Sequence, residues 1–459
     1  MVATAAAAGA AWDAWWAEHA GTAAVARRQQ VRLAALVDHA RRASPYYRRL
    51  YRAVPPGVTD PVLLPPVAKP QLMEHFDEWV TDPRITLAGL RRDVLADPAR
   101  VGAPYLGRYH VLTSSGSSGE PAVLVHDDRS WSSAGAVLGV RARRTLLRPG
   151  VLAPVARHGL RVAALLATGG HFAAVTAAED LRRRGPRRAE RLRVLSVLRP
   201  LPDLAAELDA FRPTVLVGYP SAVDLLAAEQ AGGRLRIAPA LVAVGGETLT
   251  PAARRRIRAA FGCPVLDEYA SSEAPGLAVQ CHRGTLHVNA DRYLFEPVDE
   301  AGRPVAPGTT SATVLVTDLG NRVQPIVRYD LGDRVELRAR PCPCGSPLPA
   351  VRVEGRAGDV LRFASADGRT VPVLPLALGT VVEETPGVRR FQAVRTAPNA
   401  LVLRLEPEPG ADPGRVRAAV DARVRAFLTD RGLGAVAVRH APDPPRPEPS
   451  GKFRQVWSA

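Results

Sequence analysis

The sequence predicts an α/β protein: a large multi-layer N-terminal unit built on mainly parallel sheets, then a small mobile α+β unit at the C-terminus. Three observations carry this. Short apolar segments recur between about residue 160 and residue 270, each followed by a loop and a helical stretch, the alternation of a parallel sheet. Strand-like segments then crowd the region from about 285 to 340. After Gly355 the pattern turns into two strands, one amphipathic helix and a last strand. The 459 residues exceed one ordinary domain, so the division is set at 1–354 and 355–459.

The alanine-rich start is interrupted by Asp13 and Glu18 and lacks a cleavage pattern, so it reads as a surface helix and not a signal peptide. Residues 25–53 have helical spacing and end in the turn Ser44-Pro45-Tyr46-Tyr47. Residues 64–69 form a rigid Pro-rich connector. Strands are predicted at 162–167, 214–218, 241–245 and 265–267, then at 287–289, 293–297, 312–317, 324–329 and 334–337. The last unit takes strands at 391–394 and 401–405, a helix at 413–431 and a strand at 436–438, with a Pro-rich linker at 442–449.

Hydrophobic residues make up 46% and charged residues 23%, the balance of a globular protein with a buried core. No apolar run reaches the ~18 residues of a membrane helix, so no membrane partner is expected and the cytoplasm is the default location. The net charge of +16 suggests nucleic acid at first sight. The arginines are scattered, however, with no basic block interleaved with aromatics, and nucleic acid is not expected as a partner. Only Lys69 and Lys452 are lysines. In a chain that otherwise uses arginine, a lysine marks a position that a planar guanidinium does not fill.

Six of the seven residues in Thr113-Ser114-Ser115-Gly116-Ser117-Ser118-Gly119 are Ser or Gly. Such a loop curls around an anion and offers N–H and O–H donors to phosphate oxygens, although it lacks the Gly-Lys-Ser/Thr ending of a Walker loop. Downstream come Gly245-Gly246-Glu247, Asp267-Glu268-Tyr269-Ala270-Ser271-Ser272-Glu273, Arg328–Asp333, Gly355-Arg356-Ala357-Gly358-Asp359 and Ser450-Gly451-Lys452. In this order the set resembles the core motifs of the acyl-adenylate-forming superfamily, the AMP-binding enzymes, and most resembles the phenylacetate–CoA ligase branch. Ser44–Tyr47, residues 64–69, Thr168-Gly169-Gly170-His171 and Thr317-Asp318-Leu319 fit that branch too.

The resemblance implies a large adenylation domain, a small lid, and an ATP-dependent acid ligase. It assigns the 113–119 loop to the β- and γ-phosphates, Ser272 to the α-phosphate and Glu273 to Mg²⁺, a hard cation that takes carboxylate oxygen. It places Tyr269 on the adenine with Gly246 and Glu247 opposite, and Asp333 on the ribose hydroxyls. Arg356 joins this nucleotide set. Lys452 bridges the attacking carboxylate and the α-phosphate. Tyr219, Gly170, His171, Gly245, Ala270 and Pro275 fall on loops that line the acid pocket in the family. The small residues among them leave room for a ring, so an aromatic acid is expected.

Cys342-Pro343-Cys344-Gly345 in a cytosolic chain suggests a metal before a disulfide. With Cys281 and His287 it makes a Cys₃His set for structural Zn²⁺, closed to catalysis; His282 is the rival fourth ligand and Cys263 an ordinary thiol. Several members of the branch carry such a zinc. One departure bears on the acceptor. The family's hinge aspartate falls at Gly358, and the glycine-rich hairpin that lines the pantetheine tunnel is rewritten. CoA is therefore the first expectation for the acceptor, an amine or another small nucleophile the second, and activation of a non-carboxylate group the third. The oligomeric state stays open, with a homodimer in view.

Overall fold

A computed structural model describes residues 2–114, 121–365, 367–448 and 452–459 of the chain. At its centre is a nine-stranded sheet. Five strands run parallel in the spatial order Leu192–Ser196, Val162–Leu166, Val215–Gly218, Leu241–Gly245 and Val265–Tyr269. The sheet continues antiparallel through Ala278–Gln280, Leu286–Val288, Ala350–Arg356 and Asp333–Leu337. The three inner strands Val162–Leu166, Val215–Gly218 and Leu241–Gly245 read as apolar runs because both faces are covered. Helices Leu201–Phe211, Pro220–Ala231 and Pro251–Phe261 bury Leu208, Leu226 and Ile257 on one face. Helices Asp128–Leu146 and Ala173–Arg183 bury Ala142 and Val175 on the other.

Two smaller sheets complete the larger unit. One is the hairpin Tyr109–Thr113 with Val123–Asp127; the other joins Tyr293–Val298, Thr313–Asp318 and Tyr329–Asp330. They share a core with the helices near the N-terminus, around Leu33, Tyr47 and Trp79. The predicted helix 25–53 is two helices, Thr22–Ala43 and Pro45–Leu50. It breaks at Ser44, whose hydroxyl accepts the N–H of Tyr47 at 3.3 Å, and Pro45 starts the second helix at the position a proline tolerates. The N-terminal helix Val2–His19 packs on Asp128–Leu146, burying Ala14 and Ala17 while Glu18 pairs with Arg141 at 3.3 Å. Among the described residues no helix is long and apolar enough to cross a membrane.

The strand expected at 324–329 is paired only at Tyr329–Asp330. Before it, the buried amide of Gln324 does the work of a ladder: its oxygen accepts the N–H of Val125 at 2.8 Å and its nitrogen donates to the Val123 carbonyl at 3.2 Å.

Beyond residue 360 the chain builds a second, self-contained core around Phe363, Leu378, Phe391, Leu403 and Val420. Its four-stranded sheet has the order Ala437–His440, Ala400–Pro407, Val388–Ala397, Val456–Ser458, backed by helices Pro375–Glu383 and Pro413–Thr429. The last strand pairs parallel with Val388–Ala397, Ala393 opposite Val456. That pairing, absent from the sequence expectations, holds the chain four residues after Lys452 and so fixes where the lysine emerges.

Candidate active site

The C-terminal ends of the parallel strands face a cleft of about 1650 Å³, the edge where α/β sheets receive ligands. Gly246, Glu247, residues 268–273, Asp333 and Arg356 line it from the large unit; Arg390 and residues 452–456 line it from the small one.

At the floor, the Tyr269 hydroxyl donates to Asp333 Oδ2 at 2.6 Å, and Arg356 donates to Asp333 Oδ1 and to the Leu331 carbonyl, both at 3.0 Å. Burial pushes the Asp333 carboxyl above its ordinary range against the pull of Arg356 and Tyr269. The Tyr329 hydroxyl donates to Glu273 Oε1 at 3.1 Å, while Oε2 has no hydrogen-bond partner among the described residues. Ser272 Oγ donates to the Thr113 carbonyl at 3.3 Å, tying the 270–273 loop to the end of the hairpin. Ser114 Oγ accepts the Ala122 N–H at 2.8 Å and its N–H donates to the Ala122 carbonyl at 2.9 Å, closing the base of the Ser/Gly loop. Ser115, Gly116, Ser117, Ser118 and Gly119 lie outside the described residues.

Lys452 reaches this floor from the small unit. Its Cε is 4.0 Å from the point a Cβ on Gly246 would occupy, and the Tyr219 ring is 3.1 Å from the same point. With φ at +80°, Gly246 is a position where a side chain would be strained and would press on both neighbours. Glu247 docks the segment: Oε1 accepts the Phe453 N–H at 2.6 Å and Oε2 the Ser221 N–H at 3.0 Å. Burial holds the Lys452 ammonium below its ordinary pKa; Glu247 and Glu273 pull it back up, while Arg356 opposes them. Glu383 makes a second contact between the units, accepting from Thr250 at 2.7 Å and pairing with Arg256 at 3.3 Å. Arg454 of the small unit pairs with Asp359.

The expected acid-pocket residues are dispersed. Ala270 lines the cleft; Gly170, His171, Tyr219, Gly245 and Pro275 are not among its lining residues. His171 is buried, its carbonyl accepts the Thr113 N–H at 2.7 Å, and its ring faces the backbone of Val94 and Asp97. The Pro275 carbonyl is taken by the Tyr293 hydroxyl at 2.6 Å. Glu247, expected as an adenine wall, has both carboxylate oxygens engaged by backbone N–H groups. Two cleft residues escaped the sequence reading. Tyr329 gave no signal beyond its motif. Glu268 did give one, a second acid beside Asp267 on a strand that opens with the apolar Val265-Leu266.

No protein-family model matches the chain. It is 30% identical to protein CapK of Staphylococcus aureus over 133 residues, spanning 28% of each chain and so less than a third of CapK. It is 27% identical to the phenylacetate-coenzyme A ligase of Thermus thermophilus over 377 residues, 78% of this chain and 75% of that one. The crystal structure of 2-hydroxyisobutyryl-CoA ligase in its postadenylation state shares the fold over 95% of this chain and 88% of that one, at 19% identity and a TM-score of 0.70. The chain is thus similar over most of its length to a phenylacetate-coenzyme A ligase and shares the fold of an acyl-CoA ligase. The thioesterification state of the 2-hydroxyisobutyryl-CoA ligase has a TM-score of 0.55, so the two units of this chain are arranged more as in the postadenylation form.

A second constellation lies at the antiparallel end of the sheet. Ligand atoms of Cys281, His287, Cys342 and Cys344 all fall within 4.8 Å of one another. Cys281 Sγ is 3.9 Å from Cys342 Sγ, and Cys344 Sγ is 3.4 Å from His287 Nε2. Ideal tetrahedral zinc bonds imply about 3.8 Å between sulfurs and about 3.5 Å between sulfur and nitrogen. His287 Nδ1 is 2.9 Å from the Leu348 carbonyl, which fixes the tautomer with Nε2 free to ligate. His282 stands outside the group, and the chemistry of the donor set fits Zn²⁺.

Proposed function

We propose that this chain is an ATP-dependent acid ligase that activates a carboxylic acid as its acyl-adenylate and then transfers the acyl group to CoA. The observation that carries the reading is a lysine ammonium, delivered by the small unit, inside a cleft floored by Tyr269, Asp333 and Arg356 and flanked by Glu273. Two anions must react here, so charge has to be offset and the reactants held in line. A carboxylate oxygen of the acid attacks the α-phosphorus, the bond to the bridging oxygen breaks, and pyrophosphate leaves with the electron pair. Lys452 offsets charge between acid and α-phosphate, and Ser272 and the 113–119 loop donate to phosphate oxygens. Mg²⁺ held by Glu273 would neutralise charge on the leaving pyrophosphate. Tyr269 and Gly246 bracket the adenine, and Asp333 accepts from the ribose hydroxyls with its remaining lone pairs. In the second step the CoA sulfur attacks the acyl carbonyl, AMP leaves and the thiol proton is released.

We divide the chain into 1–354 and 355–459. The turn Ala357–Asp359 is the hinge, where Gly358 is exposed with no atom within 4 Å of a would-be Cβ. The small side chain of Ala270 in the cleft lining supports an aromatic acid. The Cys₃His set would hold a structural zinc away from the reaction.

Asp333→Asn keeps the shape and loses the charge, and is expected to raise the KM for ATP about 10-fold or more, the scale of a charged hydrogen bond. An unchanged KM removes Asp333 from the nucleotide site. The reaction itself is tested by pyrophosphate release from ATP over a panel of aryl and alkyl acids, with CoA, with hydroxylamine, and with neither. Release with an acyl-CoA product is the expected result. A hydroxamate without acyl-CoA redirects the acyl group to another nucleophile, the outcome that Gly358 and the rewritten hairpin favour. No release with any acid overturns the reading.

A further inference from the structure

One acid of the cleft wall has no part in the chemistry above. Glu268 lies on strand Val265–Tyr269, where side chains alternate between faces. Asp267 and Tyr269 turn to one face, toward Arg254 at 3.3 Å and Asp333 at 2.6 Å. Glu268 turns to the other, toward helix Asp128–Leu146. Its Oε1 is 3.7 Å from the point a Cβ on Gly276 would occupy, and the Ala134 carbonyl is 3.8 Å from that point. Gly276, at φ +68°, therefore keeps the space in front of the carboxylate clear. Gly245 faces Glu268 across the neighbouring strand and also contributes no side chain.

Several other carboxylates of the cleft are matched by arginines. Asp333 has Arg356, Asp267 has Arg254, and Asp224 and Glu383 share Arg256. No hydrogen-bond donor or cation engages the Glu268 side chain among the described residues, and none of the residues outside that description is Lys, Arg or His. Burial, with the Asp267 carboxylate beside it, pushes Glu268 up to about 7. An unmatched carboxyl at the edge of a binding cleft costs stability that a ligand bearing a complementary charge can recover.

Building on the adenylation reading, we infer that Glu268 selects the substrate: a carboxylic acid carrying a protonated amine at the end away from its carboxyl, with Glu268 as the counter-ion of that amine. The adenylated carboxyl then points to Lys452 and the ammonium to Glu268.

The test measures kcat/KM for pyrophosphate release with acids of matched size: an aminomethylbenzoate against the corresponding ethylbenzoate, and an ω-aminoalkanoate against the alkanoate with methyl in place of ammonium. Wild type is expected to favour the amine-bearing acid of at least one pair by about 10- to 100-fold, the range of a charged hydrogen bond. Glu268→Gln should lose most of that preference while keeping its rate on the methyl-bearing acid, which a merely structural role would not produce. Glu268→Leu should reverse the preference; should it fail to fold, Glu268→Gln decides. A wild type that handles the methyl-bearing acids as well as or better than the amines overturns the assignment and leaves adenylation standing. No release with any acid overturns both.

Discussion

Replacing Lys452 by alanine is expected to lower acyl-adenylate formation at least ~100-fold, the scale of losing a preorganised charge at the transition state. The lysine is fixed twice: behind it, strand Val456–Ser458 is hydrogen-bonded to Val388–Ala397, and next to it the Phe453 N–H is held by Glu247. An ammonium presented this way needs little reorganisation when negative charge gathers between the acid and the α-phosphate. Lys452→Arg should remain well below wild type, because a planar fork does not fit between two oxygens as a compact ammonium does. The working form is the cation, and burial with Arg356 nearby holds its pKa below that of an exposed lysine. Adenylation should therefore be full below that depressed pKa and fall as the pH rises through it, earlier than an exposed lysine would dictate. With the acyl-adenylate supplied ready-made, the alanine variant should transfer the acyl group nearly as wild type does, since the small unit would have swung Lys452 away for that step. Pyrophosphate release near the wild-type rate in Lys452→Ala removes the residue from the reaction. A crystal structure with an acyl-adenylate analogue that leaves Lys452 far from the phosphate in every state contradicts the swing.

How much of this was legible follows the range of the forces involved. Val215–Gly218 and Leu241–Gly245 could be read because a strand covered on both faces must be apolar along its length, a local property. Leu192–Ser196 escaped because it is the sheet's edge strand, where Arg193 stays exposed and breaks the run. Ordered motifs located Tyr269, Glu273, Asp333 and Lys452, and these four do meet at one cleft. The acid pocket was not legible in the same way. The His171 ring faces the turn at 94–97, a contact between segments far apart in the chain that no spacing rule encodes. Likewise, Glu247 could be found by its motif, but its role as acceptor for the Phe453 N–H depends on the docking of a chain segment about two hundred residues away.

The purified protein is expected to carry one equivalent of zinc, and losing it should cost about 4 kcal/mol. The figure comes from closing a loop: Cys281 and Cys342 are 61 residues apart, and a cross-link of that span removes about this much unfolded-state freedom. The geometry makes the cross-link specific. The Cys281–His287 segment spans the turn between strands Ala278–Gln280 and Leu286–Val288, whereas Cys342 and Cys344 sit on the loop leaving Asp333–Leu337. A metal joining them ties together the antiparallel end of the sheet, and strand Ala350–Arg356, which lies between those two parts, carries Arg356 to the cleft. Cys342→Ser should thus lose the metal and lower Tm, with a smaller effect on ATP affinity than Asp333→Asn has. A strong chelator should reproduce the Tm loss in wild type and leave the variant unmoved, which separates the metal's contribution from that of the side chain. Metal analysis giving less than about half an equivalent of zinc, or a chelator that lowers the Tm of both proteins equally, would reduce the four residues to thiols and a histidine packed together.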